Sequence, residues 1–368
     1  MKNFFISKSR RVRSTTFTSR IEKQGVKNYT VYNHMLLPTT FSSVEEEYLH
    51  LKKDVQVWDV SVQREIEISG KDAHKLVQLM TCRDLSKSKI GNCYYVPLVD
   101  INGGMINDPL VYKLKDDLWR ICIADSDVLL FAKGLAAGKK LNVKIFEADI
   151  DTLAVQGPKS FKLMEEVFGS EITKLKFFKY NFFNFNNTKY LISRSGYSKQ
   201  GGYEVHVNDK RAGHNLYDHL FRIGNKYNLK PGAPNHPERI EGGLLSYGND
   251  MLIDDNPFEC GFDKSIHLDT DIEFLCKENL KKIRDKGITR KLMGVKINTN
   301  ELSLNDVDLL DKNKKIIGEL RSAAFSPKFK KIVGIAMVKK EYCKNKENIF
   351  MNVNQKSLNG EICDLPII

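Results

Sequence analysis

The spacing of apolar positions along the chain alternates between periods of two residues and of three to four, which predicts both strands and helices. Strands are predicted where apolar residues alternate or form short runs: 64–68, 119–123, 153–155, 182–185, 190–192, 292–297, 332–338 and 349–353. Helices are predicted where apolar residues recur every three to four positions: 73–80, 127–138, 158–168, 211–224 and 237–247. These patterns indicate an α+β protein whose last part, after Arg290, is a β domain.

Turn and cap residues divide these elements. Asp125-Ser126 is expected to cap the helix with the apolar stripe Leu129, Leu130 and Leu135, and Pro158 to occupy the first position of the next helix. Asn186-Asn187 and Asn102-Gly103-Gly104 lie between apolar runs, as hairpin turns do. The second hairpin brings Asn107 and Asp108 onto a strand. Composition alone favours a simple turn with polar ends at that place.

Charge and length narrow the function classes. The 368 residues carry a formal net charge of +12, but the Lys and Arg residues are scattered and match no nucleic-acid motif. A solvated surface, or attraction of a ligand with several carboxylates, explains the charge without a nucleic-acid partner. No run of about 18 apolar residues predicts a membrane span. The basic segment 1–20, rich in Ser and Thr, fits a frayed arm better than a transit peptide.

The cysteines of the chain indicate a reducing compartment, and its histidines indicate no metal site. The seven cysteines are an odd number and form no C-x-x-C motif, so free thiols and a cytoplasmic location are expected. The eight histidines have no metal-ligand spacing. The sequence allows a homodimer but does not require one.

Three segments resemble the folate-dependent aminomethyltransferases. The first is the Gly-Gly turn followed by Asn107-Asp108, together with the stretch 153–158, LAVQGP. The second is 194–205, RSGYSKQGGYEV, in which Glu204 matches the family's pterin-binding glutamate. The third is 239–250, RIEGGLLSYGND, followed by 256–259, NPFE. Arg239 and Glu241 are too close in sequence to face each other on a helix, so we expect them to have separate partners.

The resemblance implies an α+β fold with three domains arranged as a clover-leaf around a folate channel and a C-terminal β-barrel-like domain. Residues 1–50 with 150–285 would form a folate-binding domain, 51–149 an α+β domain with the Gly-Gly turn, and 286–368 the barrel. The co-substrate would be tetrahydrofolate, with no metal.

The family's motifs also imply roles for particular residues. Asp108 would be catalytic, as electrostatic stabiliser or as acceptor of a proton. The implied folate contacts are Tyr95, Gly202, Tyr203, Glu204 and Arg239, and the implied donor contacts are Tyr32, Trp58, Ser126, Tyr197 and His206.

Within this superfamily, four segments look like the dimethylsulfoniopropionate demethylases of marine bacteria: 32–38, 77–85, 195–202 and 256–263. Such enzymes would move a methyl group from a sulfonium to N5 of tetrahydrofolate. Tyr197 and His206 stand where Trp and Tyr are frequent in that group, which leaves the methyl donor open.

Three other functions stay open. An aminomethyltransferase acting on an amine would give methylene-folate instead of methyl-folate. A folate-binding protein of iron–sulfur maturation would carry a cysteine motif where this chain has Ser246-Tyr247-Gly248. A basic binding module without enzymatic activity is the third.

Overall fold

A computed structural model describes residue 6 and residues 9–300, 307–353 and 355–368. Part of the predicted N-terminal arm, residues 1–5, 7 and 8, lies outside the described residues. The arm prediction is wrong where the chain can be followed further. Phe17 is fully buried and stacks on Tyr217 with ring centroids 5.7 Å apart. The Thr15 hydroxyl donates a 2.5 Å hydrogen bond to buried Asp59, so this segment is fastened to the core.

The α-helices of the described residues are α1 (Thr18–Lys23), α2 (Val44–Lys53), α3 (Ala73–Met80), α4 (Val128–Gly138), α5 (Ser160–Phe168), α6 (Lys210–Gly224), α7 (His236–Glu241) and α8 (Lys277–Lys286). The strands are β1 (Asn28–Tyr32), β2 (Met35–Thr40), β3 (Val55–Asp59), β4 (Glu65–Ser69), β5 (Cys93–Tyr95), β6 (Leu98–Val99), β7 (Met105–Asn107), β8 (Leu110–Lys115), β9 (Leu118–Cys122), β10 (Lys144–Ala148), β11 (Asp151–Gln156), β12 (Tyr180–Phe185), β13 (Thr188–Ser193), β14 (Gly202–Val207), β15 (Leu229–Gly232), β16 (Arg290–Ile297), β17 (Val307–Leu310), β18 (Ile316–Ser326), β19 (Lys331–Lys339), β20 (Asn348–Val353) and β21 (Lys356–Cys363). None of these helices has the length and apolar composition needed to cross a membrane.

The chain divides into two compact units. Unit 1 comprises residues up to 64, 149–196 and 200–234, and unit 2 comprises 65–148, 197–199 and 235–368. Residues 235–285 therefore group with the barrel in unit 2, whereas the sequence-based boundaries place them with the folate-binding domain. The hydrogen bonds of α7 explain this grouping, because Arg239 and Glu241 bond to Ser322 and Ser326 of β18. Arg239 and Glu241 thus have separate partners, as their spacing in the sequence predicted.

Unit 1 is built on a six-stranded sheet in the order β12-β13-β14-β11-β3-β15. Only β15, beside β3, runs parallel to its neighbour. One face of the sheet carries the apolar core, to which α1, α5 and α6 contribute Ile21, Leu163 and Leu216. Because side chains alternate across a strand, the other face carries the residues between the core positions. On β11 these are Thr152, Ala154 and Gln156, and all three are buried.

Unit 2 contains a five-stranded sheet in the order β10-β4-β9-β8-β5 and a closed six-stranded barrel in the order β16-β19-β18-β17-β20-β21. Helices α3 and α4 cover the sheet through a core that includes Leu76, Val77 and Ala132. The barrel interior is filled by aliphatic side chains such as Val295, Ile317 and Ile349. A mixed fold with a C-terminal barrel is confirmed. None of the seven cysteines, all of which lie in the described residues, forms a disulfide.

Three local predictions were wrong: the end of α7, the start of α5 and the buried face of α4. Helix α7 ends at Glu241 instead of 247, because Gly242-Gly243 follows and Gly243 has a φ of +62°. Helix α5 begins at Ser160, after Pro158, so this proline precedes the helix. On α4, Leu130 is 64% exposed, and the buried positions are Val128, Ala132 and Ala136.

The Gly103-Gly104 turn joins β6 to β7 as predicted, and its packing explains the second glycine. A Cβ atom at Gly104 would lie 2.0 Å from the carbonyl oxygen of Ile253. The Asp100 carboxylate accepts hydrogen bonds from the backbone N–H groups of Asn102 and Gly104, each at 2.8 Å. The backbone N–H of Met105 donates to the carbonyl of Asp255. The hairpin and the loop 250–255 are therefore in direct backbone contact.

We expect Gly104→Ala to destabilise the protein by about 1–3 kcal/mol, because one backbone segment must move to admit the new methyl group. Gly134→Ala is the matched control. Gly134 lies inside α4, a Cβ there meets nothing within 4 Å, and alanine is the better helix former by about 1 kcal/mol. Urea unfolding of both variants measures the difference. A Gly104→Ala protein as stable as Gly134→Ala would contradict this account.

Candidate active site

Asp108 lies at the break between β7, which ends at Asn107, and β8, which begins at Leu110. The Tyr95 hydroxyl donates a 2.6 Å hydrogen bond to Oδ2 of Asp108. The other oxygen, Oδ1, is buried and has no hydrogen-bond partner in the part of the chain that the structure describes. A buried carboxylate oxygen without a partner costs free energy unless something else supplies a donor or a proton. Oδ1 of Asp108 can therefore accept a hydrogen bond or a proton.

The electrostatics of Asp108 favour its protonated form. Burial raises the pKa of this carboxyl to about 7, the hydrogen bond from Tyr95 opposes that rise, and the negative charge of Asp250 adds to it. Burial and the neighbouring charge of Asp108 raise the pKa of the Tyr95 phenol well above its usual value, so Tyr95 stays a donor. A carboxyl that titrates near neutral pH is suited to general acid–base work.

The hydrogen bonds of Asn107 explain why this chain has an amide, and not a second carboxylate, directly before Asp108. The Asn107 side-chain oxygen accepts from the backbone N–H of Ala124 at 3.0 Å, and its amide group donates to the carbonyl of Ala124 at 2.9 Å. A carboxylate has no donor for the second bond. The amide also donates to the Ser126 hydroxyl, which in turn donates to the carbonyl of Ile106. Ser126 therefore braces the β7–β8 break and does not cap α4 as predicted.

The Arg239 guanidinium is hydrogen-bonded within unit 2, to the loop after α7 and to the barrel. It donates to Asp250 Oδ2 at 2.5 Å and to the Ser322 hydroxyl at 2.8 Å, and the residue is buried. These bonds join α7 to the loop after it and to the barrel. They also hold the Asp250 carboxylate in place, and the folate contact of Arg239 stays a prediction.

Sequence reasoning missed the charged residues that hold the loop 250–259. Arg321 of β18 donates to the Asp255 carboxylate and to the carbonyl of Asp250, the latter at 3.1 Å. Arg290 of β16 bonds to both Asp255, at 2.9 Å, and Glu259, at 3.1 Å. No strand was predicted around Arg321, so the apolar pattern held no signal that this arginine contacts the loop.

Tyr197 is half-buried in unit 2, and its hydroxyl lies 2.9 Å and 2.8 Å from the carbonyl oxygens of Leu244 and Leu245. It therefore secures the segment after α7. A negative charge on Tyr197 would raise the pKa of the Tyr95 phenol further, which places the two phenols in one neighbourhood. Tyr95, Asp108 and Tyr197 are the predicted site residues that unit 2 brings together.

In unit 1, Glu204 and His206 lie on the face of β14 opposite the apolar core. The register places Glu204 beside Ala154 of β11 and Ser193 of β13. The Ser195 hydroxyl donates a short hydrogen bond to the Glu204 carboxylate, and the Gln156 amide donates to the carbonyl of Ser195 at 3.1 Å. Glu204 and His206 are both buried, at 4% exposure each. A polar face inside a fold is the expected setting for recognition of a polar ring.

Two expectations for unit 1 need correction, those for Tyr203 and Trp58. The Tyr203 side chain is fully buried in the apolar core, on the opposite face from Glu204, because adjacent strand residues point to opposite sides. Trp58 is also fully buried, packed with Leu51 and Ala154, and its indole N–H donates to Gln56. Neither side chain presents a surface to a ligand. At Gly202 a Cβ would lie 2.2 Å from the carbonyl oxygen of Val155, so strand packing already requires this glycine.

Tyr32 is the last residue of β1 and pairs with Met35 across the turn Asn33-His34. It is half-buried and belongs to a two-stranded sheet of β1 and β2, separate from the sheet that carries Glu204. The structure therefore does not place Tyr32 on the Glu204 face.

Comparison with known proteins gives a consistent result. The family model of the GCVT N-terminal domain matches residues 17–270, and that of the glycine cleavage T-protein C-terminal barrel domain matches residues 290–368. The chain is 41% identical to a dimethylsulfoniopropionate demethylase of Ruegeria pomeroyi, over 91% of each chain. It is 28% identical to an aminomethyltransferase of Thermoanaerobacter pseudethanolicus, over 89% of each chain.

A solved structure shares the fold. The glycine cleavage system aminomethyltransferase T from Bartonella henselae superimposes with a TM-score of 0.87, covering 97% of this chain and 98% of that one. At 20% identity this likeness concerns the fold alone.

We expect Asp108→Asn to stabilise the protein at alkaline pH. The folded chain binds the Asp108 proton with a pKa of about 7, against 3.8 for an ordinary aspartate, so stability falls as pH rises between these values. Asparagine keeps an acceptor for Tyr95 and carries no charge. The stability of the variant relative to the parent should therefore rise by about 1–4 kcal/mol from pH 4 to pH 8.

Denaturant unfolding across that pH range measures the effect. Asp311→Asn is the control, because hydrogen bonds from backbone N–H groups lower the pKa of Asp311 below its usual 3.8. The stability of this variant relative to the parent should therefore stay constant from pH 4 to pH 8. If the two variants follow the same pH dependence, the burial of Asp108 does not control its proton.

Proposed function

Since the chain belongs to the glycine cleavage T-protein family, we propose that it is a tetrahydrofolate-dependent demethylase. It transfers a methyl group from dimethylsulfoniopropionate to N5 of tetrahydrofolate and produces 3-methylthiopropionate and 5-methyltetrahydrofolate. The observation that carries the proposal is the identity of 41% to a dimethylsulfoniopropionate demethylase over 91% of both chains. The aminomethyltransferases compared with this chain reach 27–29%.

For this reaction the protein must align the methyl donor with tetrahydrofolate and accept the proton that the folate nitrogen loses. A sulfonium carbon is already activated, because the departing thioether is neutral, and the reaction as proposed requires no metal ion. Tetrahydrofolate would supply N5 as the nucleophile. Holding donor and acceptor in line can remove roughly 7–11 kcal/mol of the barrier.

Asp108 is the residue that we assign to the proton. Its Oδ1 is buried without a partner among the described residues, and its titration near neutral pH suits a group that takes up a proton and then releases it. The orphaned oxygen also fits an N–H donor of a bound pterin. Asp108 thereby removes the positive charge that develops on the attacking nitrogen.

Glu204 is the residue that we assign to pterin binding. A carboxylate accepts two adjacent N–H groups as a charge-assisted pair, and a pterin presents such a pair. The support from the fold is the position of Glu204 on the buried polar face of unit 1, where Ser195 orients the carboxylate. For the sulfonium, the candidate contacts remain three separate aromatic side chains, those of Tyr197, His206 and Tyr32.

The remaining features of this proposal concern the setting of the enzyme. We propose a cytoplasmic location and small-molecule substrates without a nucleic-acid or membrane partner, with a homodimer as one permitted state. We also propose the three-domain division 1–50 with 150–285, 51–149 and 286–368.

The deciding experiment is incubation of the protein with tetrahydrofolate and dimethylsulfoniopropionate, followed by identification of both products by mass. We expect 5-methyltetrahydrofolate and 3-methylthiopropionate in equal amounts, and a rate at least 100-fold lower for Asp108→Ala, which lacks the proton acceptor. Aminomethyl-dihydrolipoamide serves as the competing amine donor, because its aminomethyl carbon already has the oxidation level of the methylene group of methylene-tetrahydrofolate. Methylene-tetrahydrofolate from an amine donor, with no turnover of the sulfonium, would instead establish an aminomethyltransferase.

We expect Glu204→Ala to weaken tetrahydrofolate binding by about 10–100-fold, since hydrogen bonds to a charged group contribute about 1.5–3 kcal/mol. Isothermal titration calorimetry measures the affinity. Glu171→Ala is the matched control, because Glu171 is an exposed glutamate of unit 1 that pairs only with Lys174 among the ion pairs described. Equal affinities for the two variants would exclude Glu204 from folate binding.

A further inference from the structure

The two oxygens of Asp108 are in different states. Oδ2 accepts the hydrogen bond from the Tyr95 hydroxyl at 2.6 Å. Oδ1 is buried and meets no hydrogen-bond partner in residues 9–300, 307–353 or 355–368. The Tyr95 ring is held against Phe262, with centroids 5.4 Å apart, so the phenol has a defined direction. Of the two oxygens, Oδ1 is therefore the one that remains to accept a hydrogen bond or a proton from a substrate.

A second buried carboxylate has the same asymmetry. Asp250 is fully buried, and its Oδ2 accepts from the Arg239 guanidinium at 2.5 Å and from the backbone N–H of Ser246 at 2.8 Å. Its Oδ1 also lacks a partner among the described residues. Arg239 is itself fixed by the Ser322 hydroxyl, so Asp250 is held on both sides.

The two carboxylates act on each other through charge. The negative charge of Asp250 disfavours ionisation of Asp108, whereas the hydrogen bond from Tyr95 favours it. The other charged and titratable neighbours of Asp108 in unit 2 are Tyr247 and Cys260, whose own proton equilibria respond to the Asp108 charge. Tyr95 and Asp250 thus oppose each other at one carboxyl group.

We propose that Tyr95 and Asp250 are positioning residues of the methyl transfer. Tyr95 occupies Oδ2 of Asp108, so that Oδ1 receives the proton. Asp250 opposes the ionisation of Asp108 by charge repulsion, from a loop that is hydrogen-bonded to β7 through the Met105 N–H and the Asp255 carbonyl. The inference rests on the proposed function and assigns to these two residues the control of its proton step.

The step balances in atoms and electrons. Asp108 Oδ1 accepts the proton that the folate nitrogen loses when its electron pair forms the new bond to the methyl carbon. The electron pair of the broken carbon–sulfur bond stays on sulfur, which becomes a neutral thioether. Asp108 is left as a neutral carboxyl, and its proton passes to solvent before the next turnover.

The test uses opposite shifts in two variants of the full chain. Tyr95→Phe removes a donor that favours the ionised carboxylate, so the titration midpoint of Asp108 should rise by about one pH unit. Asp250→Asn removes a repelling charge and leaves the Arg239 guanidinium unpaired, so the midpoint should fall by about one unit. Asp311→Asn changes the net charge equally at a remote turn and should leave the midpoint unchanged.

Two readouts are combined. Carbon-13 NMR of aspartate-labelled protein without ligands gives the midpoint directly, with the Asp108 signal assigned by its loss in Asp108→Asn. The pH profile of kcat with tetrahydrofolate and dimethylsulfoniopropionate should show its acidic limb displaced in the same directions. A purely structural role for either residue would lower stability without moving the titration.

The outcomes separate the two proposals. Midpoints that stay in place, or that move in the same direction in folded Tyr95→Phe and Asp250→Asn proteins, overturn the positioning roles. Should Asp250→Asn fail to fold, an unmoved midpoint in Tyr95→Phe is sufficient to overturn them. Shifts of the expected sign in a protein that makes no methyl-folate would contradict the demethylase function and leave the electrostatic coupling intact.

Discussion

The burial of the Asp108 carboxylate is the constraint on which the local architecture depends. A carboxylate removed from water is unfavourable unless its oxygens find donors, and here one oxygen has a donor and the other has none among the described residues. The fold must therefore hold Asp108 in place by other means. It does so through the β7–β8 break, the reciprocal bonds of Asn107 with Ala124, and the close backbone contact at Gly104.

The loop 250–259 supplies the second half of this arrangement. Its carboxylates are matched to three arginines, in the pairs Arg239–Asp250, Arg321–Asp255 and Arg290–Glu259. Buried ion pairs of this kind contribute little net stability, because desolvation offsets the attraction. Their effect is geometric, because they fix the loop that contacts the Gly103-Gly104 hairpin and that carries Asp250, whose charge disfavours ionisation of Asp108.

The sequence predicted elements with strong periodicity well and side-chain directions poorly. Helix α3, strand β9 and the barrel strands β16 and β19 follow from local pattern, because burial of one face imposes it. Tyr203 was assigned to folate because it lies in a family motif, and Trp58 to the donor because an aromatic face can stabilise a cation. Strand alternation and core packing bury both side chains. The partners of Arg239 and Arg321 were beyond reach, because Asp250, Ser322 and Asp255 are 11 to 83 residues away from them in the chain.

A carboxyl that titrates near pH 7 suits a cationic donor in particular. In the free enzyme, burial and Asp250 favour the neutral form of Asp108, which limits the cost of keeping it out of water. A sulfonium bound nearby would favour the ionised form by charge attraction. Substrate binding would then convert Asp108 into a base before the proton must be removed, and the proton taken from the folate nitrogen would restore the neutral carboxyl. The burial that makes this carboxylate unfavourable in the resting protein is what makes it responsive to the charge of its substrate.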